Sequence, residues 1–223
     1  FVMGYDGDDV NEYALSTPFD VSTASYNGDS ENFLVAGQES TPRSLAFNND
    51  GTKMFVLGIS GDDVNEYTLS PGFDISTAIY AGDSERFSVT AQETTPNSLA
   101  FNNDGTKMFV MGYDGDDVNE YTLSPGFDIS TAIYAGDSER FSVTAQETSP
   151  NSLAFNNDGT KMFVMGTIGD DVNEYTLSPG FDVSTASYVQ NFSVAAQESG
   201  PVSLVFNNDG TKMFVMGYDG DDV

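Results

Sequence analysis

The apolar residues of this chain fall in short clusters that keep recurring. Leu99-Ala100-Phe101 is followed by Met108 to Met111, then by Val118, Tyr121 and Leu123. Between the clusters stand turn residues: Asn102-Asn103-Asp104-Gly105, then Gly112 to Gly115, then Pro125-Gly126. Clusters this short, divided by Asn, Asp, Gly and Pro, predict strands rather than helices, and no segment sustains a helical period. Asn97–Phe101 reads as a first strand and Asn102–Gly105 as a tight turn. Thr106–Gly112 reads as a second strand; its unbroken apolar run predicts burial on both faces. Asp117–Ser124 reads as a third strand. Pro125–Asp128 turns the chain, and Asp128 is placed to cap the turn that follows. The segments around Ile133-Tyr134 and Arg140–Val143 complete the unit as one or two further strands.

The same pattern returns along the whole chain. Copies of Phe-Val-Met-Gly-Tyr-Asp-Gly-Asp-Asp-Val-Asn-Glu-Tyr begin at Phe1, Phe55, Phe109 and Phe163, and a fifth begins at Phe214. The reading is one tandem-repeat domain over 1–223, with copies at 1–54, 55–108, 109–162 and 163–213 and a partial copy at 214–223. Copies two and three differ only at Leu57/Met111, Ile59/Tyr113, Ser60/Asp114 and Thr95/Ser149, and residues 1–10 recur unchanged as 214–223. A sequence that starts and stops at one phase of its repeat reads as a window on a longer array. In the fourth copy the segment between Tyr188 and Phe192 is shorter than its counterpart between Tyr134 and Phe141. That predicts an exposed hairpin tip, where a deletion is tolerated.

The charge is extreme. Asp plus Glu number 35 against 7 Lys plus Arg, a formal net charge of -28. Such a surface repels phosphate backbones and anionic lipid, so nucleic acid and membrane insertion are excluded as expectations. At high salt the self-repulsion is screened over a few ångströms, which fits an extracellular or cell-surface setting. No Cys and no His are present. Ser-His-Asp and Cys-His chemistry are therefore excluded, and zinc and haem lose their usual ligands.

Leu99–Phe101, Asp104-Gly105, Lys107–Val110 and Val118–Leu123, with their counterparts in the other copies, resemble the blade motif of bacterial β-propellers, among them the YVTN, NHL and gluconolactonase-like families. The resemblance implies an all-β fold, a β-propeller built from tandem blades of about 54 residues, longer than WD-type blades. A linear β-repeat array or fibre is the alternative. A gluconolactonase-like member of that group would use carboxylates and an Asn around a metal.

The candidate site is the acidic loop of each copy: Asp6, Asp8 and Asp9; Asp62 and Asp63; Asp114, Asp116 and Asp117; Asp170 and Asp171; Asp219, Asp221 and Asp222. Clustered carboxylates are hard oxygen ligands suited to Ca²⁺, although the spacing is not that of an EF-hand. Without a metal, the same loops are charged and solvated. The aromatic positions Phe55, Tyr67, Phe73 and Phe87 read as core rather than as a sugar platform.

An active site normally breaks repeat symmetry, because one site needs several different roles. The residues that differ between copies form no acid, base or nucleophile set. The expectation is a non-catalytic, self-associating structural protein, a fibre or surface layer. The alternative is a calcium-assisted, glycan-binding adhesin with Tyr5 and Tyr113 exposed beside the acids. A lactonase-like hydrolase is the third reading.

Overall fold

A computed structural model describes residues 1–4, 7–18, 20–26 and 28–218. The chain divides into two compact units, residues 1–88 and 89–223. Among the described residues all regular structure is β apart from short 3₁₀ turns. No described helix is long and apolar enough to cross a membrane.

In the first unit β1 (Val2–Gly4), β2 (Asp9–Asn11), β3 (Tyr13–Leu15), β4 (Ala24–Tyr26) and β5 (Asn32–Leu34) form a partial blade. Its sheet order is β1-β2-β5, with β3 paired to β4. The following blade is complete: β6 (Pro42–Phe47), β7 (Lys53–Gly58), β8 (Asp63–Thr68), β9 (Ile79–Tyr80) and β10 (Arg86–Ser88). In it β6, β7 and β8 run antiparallel in sequence order, and β9 and β10 both pair with β8.

The second unit repeats the design. One blade is β11 (Pro96–Phe101), β12 (Lys107–Gly112), β13 (Asp117–Thr122), β14 (Ile133–Tyr134) and β15 (Arg140–Ser142). The next is β16 (Pro150–Phe155), β17 (Lys161–Gly166), β18 (Asp171–Thr176) and β19 (Ser187–Ser193). The pair β20 (Pro201–Phe206) and β21 (Met213–Gly217) follows. Strands one to three therefore fall where the apolar clusters predict them, and Met108 to Met111 are buried on both faces.

The shortened segment of the fourth copy corrects the hairpin expectation. Tyr134 pairs with Tyr121 and Arg140 with Asn119, so β14 and β15 are two pieces of one fourth strand running in one direction. Between them residues 135–139 bulge out through a 3₁₀ turn at Asp137–Glu139. With three residues fewer the bulge cannot form, and β19 runs through with a single register shift between Glu174 and Tyr175.

The turns follow from their residues. Gly105 takes φ 71°, and its N–H donates to Asn102 O at 3.1 Å. Asp104 Oδ1 receives the N–H of Thr106 at 3.0 Å, and Asn102 Oδ1 that of Lys107 at 3.0 Å. Asp74 caps the turn Ile75–Thr77 by accepting from Ser76 N at 3.2 Å, whereas Asp128, expected to cap the equivalent turn Ile129–Thr131, accepts no backbone N–H there and takes only the Ser130 hydroxyl at 2.5 Å.

Blades are held together by both apolar and polar contacts. In the second unit Phe109, Met111, Val118 and Val143 of one blade meet Leu153, Met162, Val164 and Tyr175 of the next. Each such side chain contributes about 1.5–3 kcal/mol when fully buried. In the first unit Val10 and Val35 meet Met54, Val56 and Tyr67. Polar stitches repeat from step to step. Asn97 Nδ2 donates to Pro150 O at 3.1 Å, as Asn151 Nδ2 does to Pro201 O at 3.2 Å. The N–H groups of Leu153 and Leu204 donate to Ser98 Oγ and Ser152 Oγ, both at 3.0 Å. Asn103 Nδ2 donates to Asn157 O at 2.7 Å, and Asn157 Nδ2 to Asn208 O at 2.6 Å.

Candidate functional site

The acidic loops link the second strand of each blade to the third. Asp8, Asp62, Asp116 and Asp170 have positive φ, at 48, 50, 48 and 49°. Asp and Asn tolerate this left-handed turn better than most side chains. The Asp116 carbonyl accepts the N–H of Val143 at 2.8 Å, and Asp170 O that of Val194 at 2.8 Å. The loop is thus tied to the end of the fourth strand. Asp116 Oδ1 is buried with no hydrogen-bond partner among the described residues. Its burial, with the charges of Asp117 and Glu147, raises its pKa.

The aspartate after it is engaged in every described copy. Asp63 faces Arg86 at 3.5 Å and Asp117 faces Arg140 at 3.2 Å. Asp171 accepts from Asn191 Nδ2 at 2.6 Å. Asp9 accepts from Asn11 and Asn32, at 2.9 and 2.6 Å. Asp114 accepts from the Thr94 and Thr95 hydroxyls. Asp6, Asp219, Asp221 and Asp222 lie outside the described residues, as does Tyr5, while Tyr113 is exposed.

Two features of the loop region were not singled out from the sequence. The first is a buried glutamate at the end of each blade. Glu93 is 1% exposed. Its Oε1 accepts the N–H groups of Thr95 and Asp114 at 2.8 and 3.1 Å, and its Oε2 that of Gly115 at 3.4 Å. Burial raises its pKa against those hydrogen bonds. Glu39 and Glu147 make the same kind of contact with Thr41 and Ser60, and with Ser149 and Ile168. Gly112 must be glycine beside it, since a Cβ there would lie 2.3 Å from Thr95 O and 2.5 Å from the Glu93 carboxyl carbon. The signal was the recurring Gln-Glu followed three residues later by Pro.

The second feature is a carboxylate cluster in the first unit. Carboxylate oxygens of Glu12, Glu31 and Asp74 lie within 4.8 Å of one another. It is the one group of three potential metal ligands found among the described residues, and none of its members belongs to the acidic loops. Because it joins residues far apart in the chain, spacing alone could not show it.

No protein-family model matches this chain, and no curated protein matches it. Solved structures do. A protein assigned as a 6-phosphogluconolactonase of Bacteroides uniformis matches with TM-score 0.59 and 16% identity, over 99% of this chain and 64% of that one. A second such protein, from Bacteroides fragilis, matches with TM-score 0.57 and 18% identity, over 99% and 64%. The periplasmic gluconolactonase of Pseudomonas aeruginosa matches with TM-score 0.52 and 14% identity, over 81% and 48%. The chain spans less than two thirds of the length of each. The fold is the β-propeller fold that the blade motif implied.

Proposed function

We propose that this chain is a non-catalytic structural repeat that associates with copies of itself outside the cell. One observation carries the reading: the polar residues shared between copies are used to stitch blades together. Asn97, Ser98 and Asn103 each bond to the next blade, and Asn151, Ser152 and Asn157 repeat the same three bonds one step on. Identical contacts at fixed intervals are what a fibre or layer needs. The charge of -28 supports an extracellular setting, where salt screens it.

A second reading, a lactonase-like hydrolase, draws on the names of the structural neighbours. It needs a convergent set of unlike groups, and the second aspartates of the acidic loops are instead held by Arg86, Arg140 and Asn191. Turnover of gluconolactone and 6-phosphogluconolactone, with calcium and with EDTA, separates the two. The structural reading expects hydrolysis no faster than in buffer. Hydrolysis that EDTA abolishes would replace it with the enzymatic one.

A further inference from the structure

Asn65 lies in the middle of β8, 0% exposed, and neither atom of its amide has a hydrogen-bond partner among the described residues. Burying an amide without partners is costly, so such a group calls for a physical account. Its surroundings show why the strand itself supplies no partner. Side chains alternate along a strand, so Asp63, Asn65 and Tyr67 line one face of β8. In β2 the matching Asn11 donates to Asp9 Oδ1 at 2.9 Å and accepts from Asn32 Nδ2 at 3.0 Å. Opposite Asn65 stands Arg86 instead, and it takes Asp63 at 3.5 Å.

The face that carries Asn65 packs on the preceding blade. Val56, opposite Asn65, and Tyr67 share a core cluster with Val10 and Val35. Val35 fixes two acidic residues there. Its N–H donates to Asp8 O at 2.8 Å, and its carbonyl accepts the N–H of Glu39 at 2.9 Å. Burial raises the pKa of Asp63 and of Tyr67, and the Glu39 charge adds to both. Glu39 therefore stands near both residues that flank Asn65. Asp8 Oδ1, Glu39 Oε2 and the Tyr67 hydroxyl are buried and, like the Asn65 amide, lack a hydrogen-bond partner among the described residues.

The second unit builds the same joint. Asn173 of β18 is 1% exposed, stands opposite Val164, and has no partner for its Nδ2 among the described residues. Val164 and Tyr175 share a cluster with Val143. The Val143 N–H donates to Asp116 O at 2.8 Å, and its carbonyl accepts the N–H of Glu147 at 2.9 Å. Burial raises the pKa of Asp116 and of Tyr175, and the Glu147 charge adds to both. The Tyr175 hydroxyl donates to Gln146 Oε1 at 3.3 Å, which leaves Asp116 Oδ1 and Asn173 Nδ2 as the orphaned pair.

The chemistry of the orphaned atoms selects the occupant. The carboxylate oxygens only accept, while an amide brings a donor whichever way it is turned. A cation would face that donor, and an anion would be repelled by the carboxylates. Water donates and accepts, and a buried water takes two to four polar partners.

We infer that ordered water bridges the blades at these two joints, among Asp8, Glu39, Asn65 and Tyr67 in the first unit and between Asp116 and Asn173 in the second. The water donates to the carboxylate oxygens and accepts from the amide. Asp8 and Asp116 thereby turn one carboxylate oxygen to the bridge and not to an ion outside the loop. The joint belongs to a single chain and does not depend on association between copies.

A high-resolution crystal structure of the 223-residue chain, with calcium and with EDTA, tests the bridge. The expected result is a water within hydrogen-bond distance of Asn173 Nδ2 and Asp116 Oδ1, another among Asn65, Asp8 and Glu39, and no change with calcium. Dry joints, a direct bond from Asn173 to Asp116, or a peak with the short contacts of a cation would each overturn the inference. A double-mutant cycle in denaturant unfolding reads the same bridge in solution. Asn173→Leu and Asp116→Asn each lower the folding equilibrium constant, and together they lower it by several-fold less than the product of the two, because either change alone already breaks the bridge. Two effects that simply multiply would count against it.

Discussion

At the scale of single residues, the acidic character of this chain divides into surface charge and buried charge with fixed partners. Glu93 is the clearest case of the second kind, since three N–H groups from two loops end on its carboxylate. Glu93→Ala would leave these donors facing a void and cost about 2–3 kcal/mol, measured by denaturant unfolding. A loss near zero would mean that the loops hold themselves. The turn aspartates and the buried strand Met108–Met111 were legible in the sequence because their signals are local: Asn-Asn-Asp-Gly, and an apolar run without alternation. The role of Glu93 was not, because a buried carboxylate and a solvated one look alike until the loops around it are placed.

At the scale of elements, the sequence separated three strands of each blade correctly and left the fourth as one strand or two, with a hairpin tip placed inside it. The segment from Ala135 to Glu139 has the Gly, Asp and Ser of a hairpin tip. Both flanks nevertheless pair with one neighbour, β13, so the segment is an excursion within a strand. Turn chemistry shows that the chain leaves the sheet, and only the pairing shows that it returns to the same edge. Deleting Gly136–Ser138 together with Glu139→Gln should convert β14 and β15 into a continuous strand like β19. There Gln190 Nε2 donates to Glu174 at 2.9 Å. The expected change in stability is within about 1 kcal/mol, because the removed residues are peripheral. A cooperative loss of the blade on hydrogen exchange would show instead that the excursion is needed.

At the scale of the whole molecule, charge and burial combine into a pH dependence with a definite sign. Burial raises the pKa of Asp63, Glu93, Asp116 and Glu120 above their ordinary values of 3.8 for Asp and 4.5 for Glu. A carboxyl raised in the folded state binds its proton more tightly there than in the unfolded chain. Its stabilisation is complete below the unfolded pKa and is lost as pH rises through the folded value. Asp50, Asp104, Asp158 and Asp209 behave oppositely. Hydrogen bonds from Thr52, Thr106, Thr160 and Thr211 lower their pKa, so their contribution is lost as pH falls below 3.8. Melting temperature should therefore rise as pH drops from neutrality towards 4.5 and fall again below 3.8. Relief of the repulsion implied by a net charge of -28 acts in the same direction on the upper limb. A melting temperature that falls steadily from pH 7 would mean that the buried carboxylates are stabilised as anions.

The propeller fold was legible because its motif is repeated, each copy reinforcing the reading of the last. The carboxylate cluster of Glu12, Glu31 and Asp74 was not, because its residues converge only when neighbouring blades pack. Association between copies is what the structural role requires, and electron microscopy of the 223-residue chain at moderate salt, with and without calcium, reads it directly. Filaments or sheets with a regular repeat are the predicted result. Dispersed single molecules at every salt and calcium concentration would contradict it.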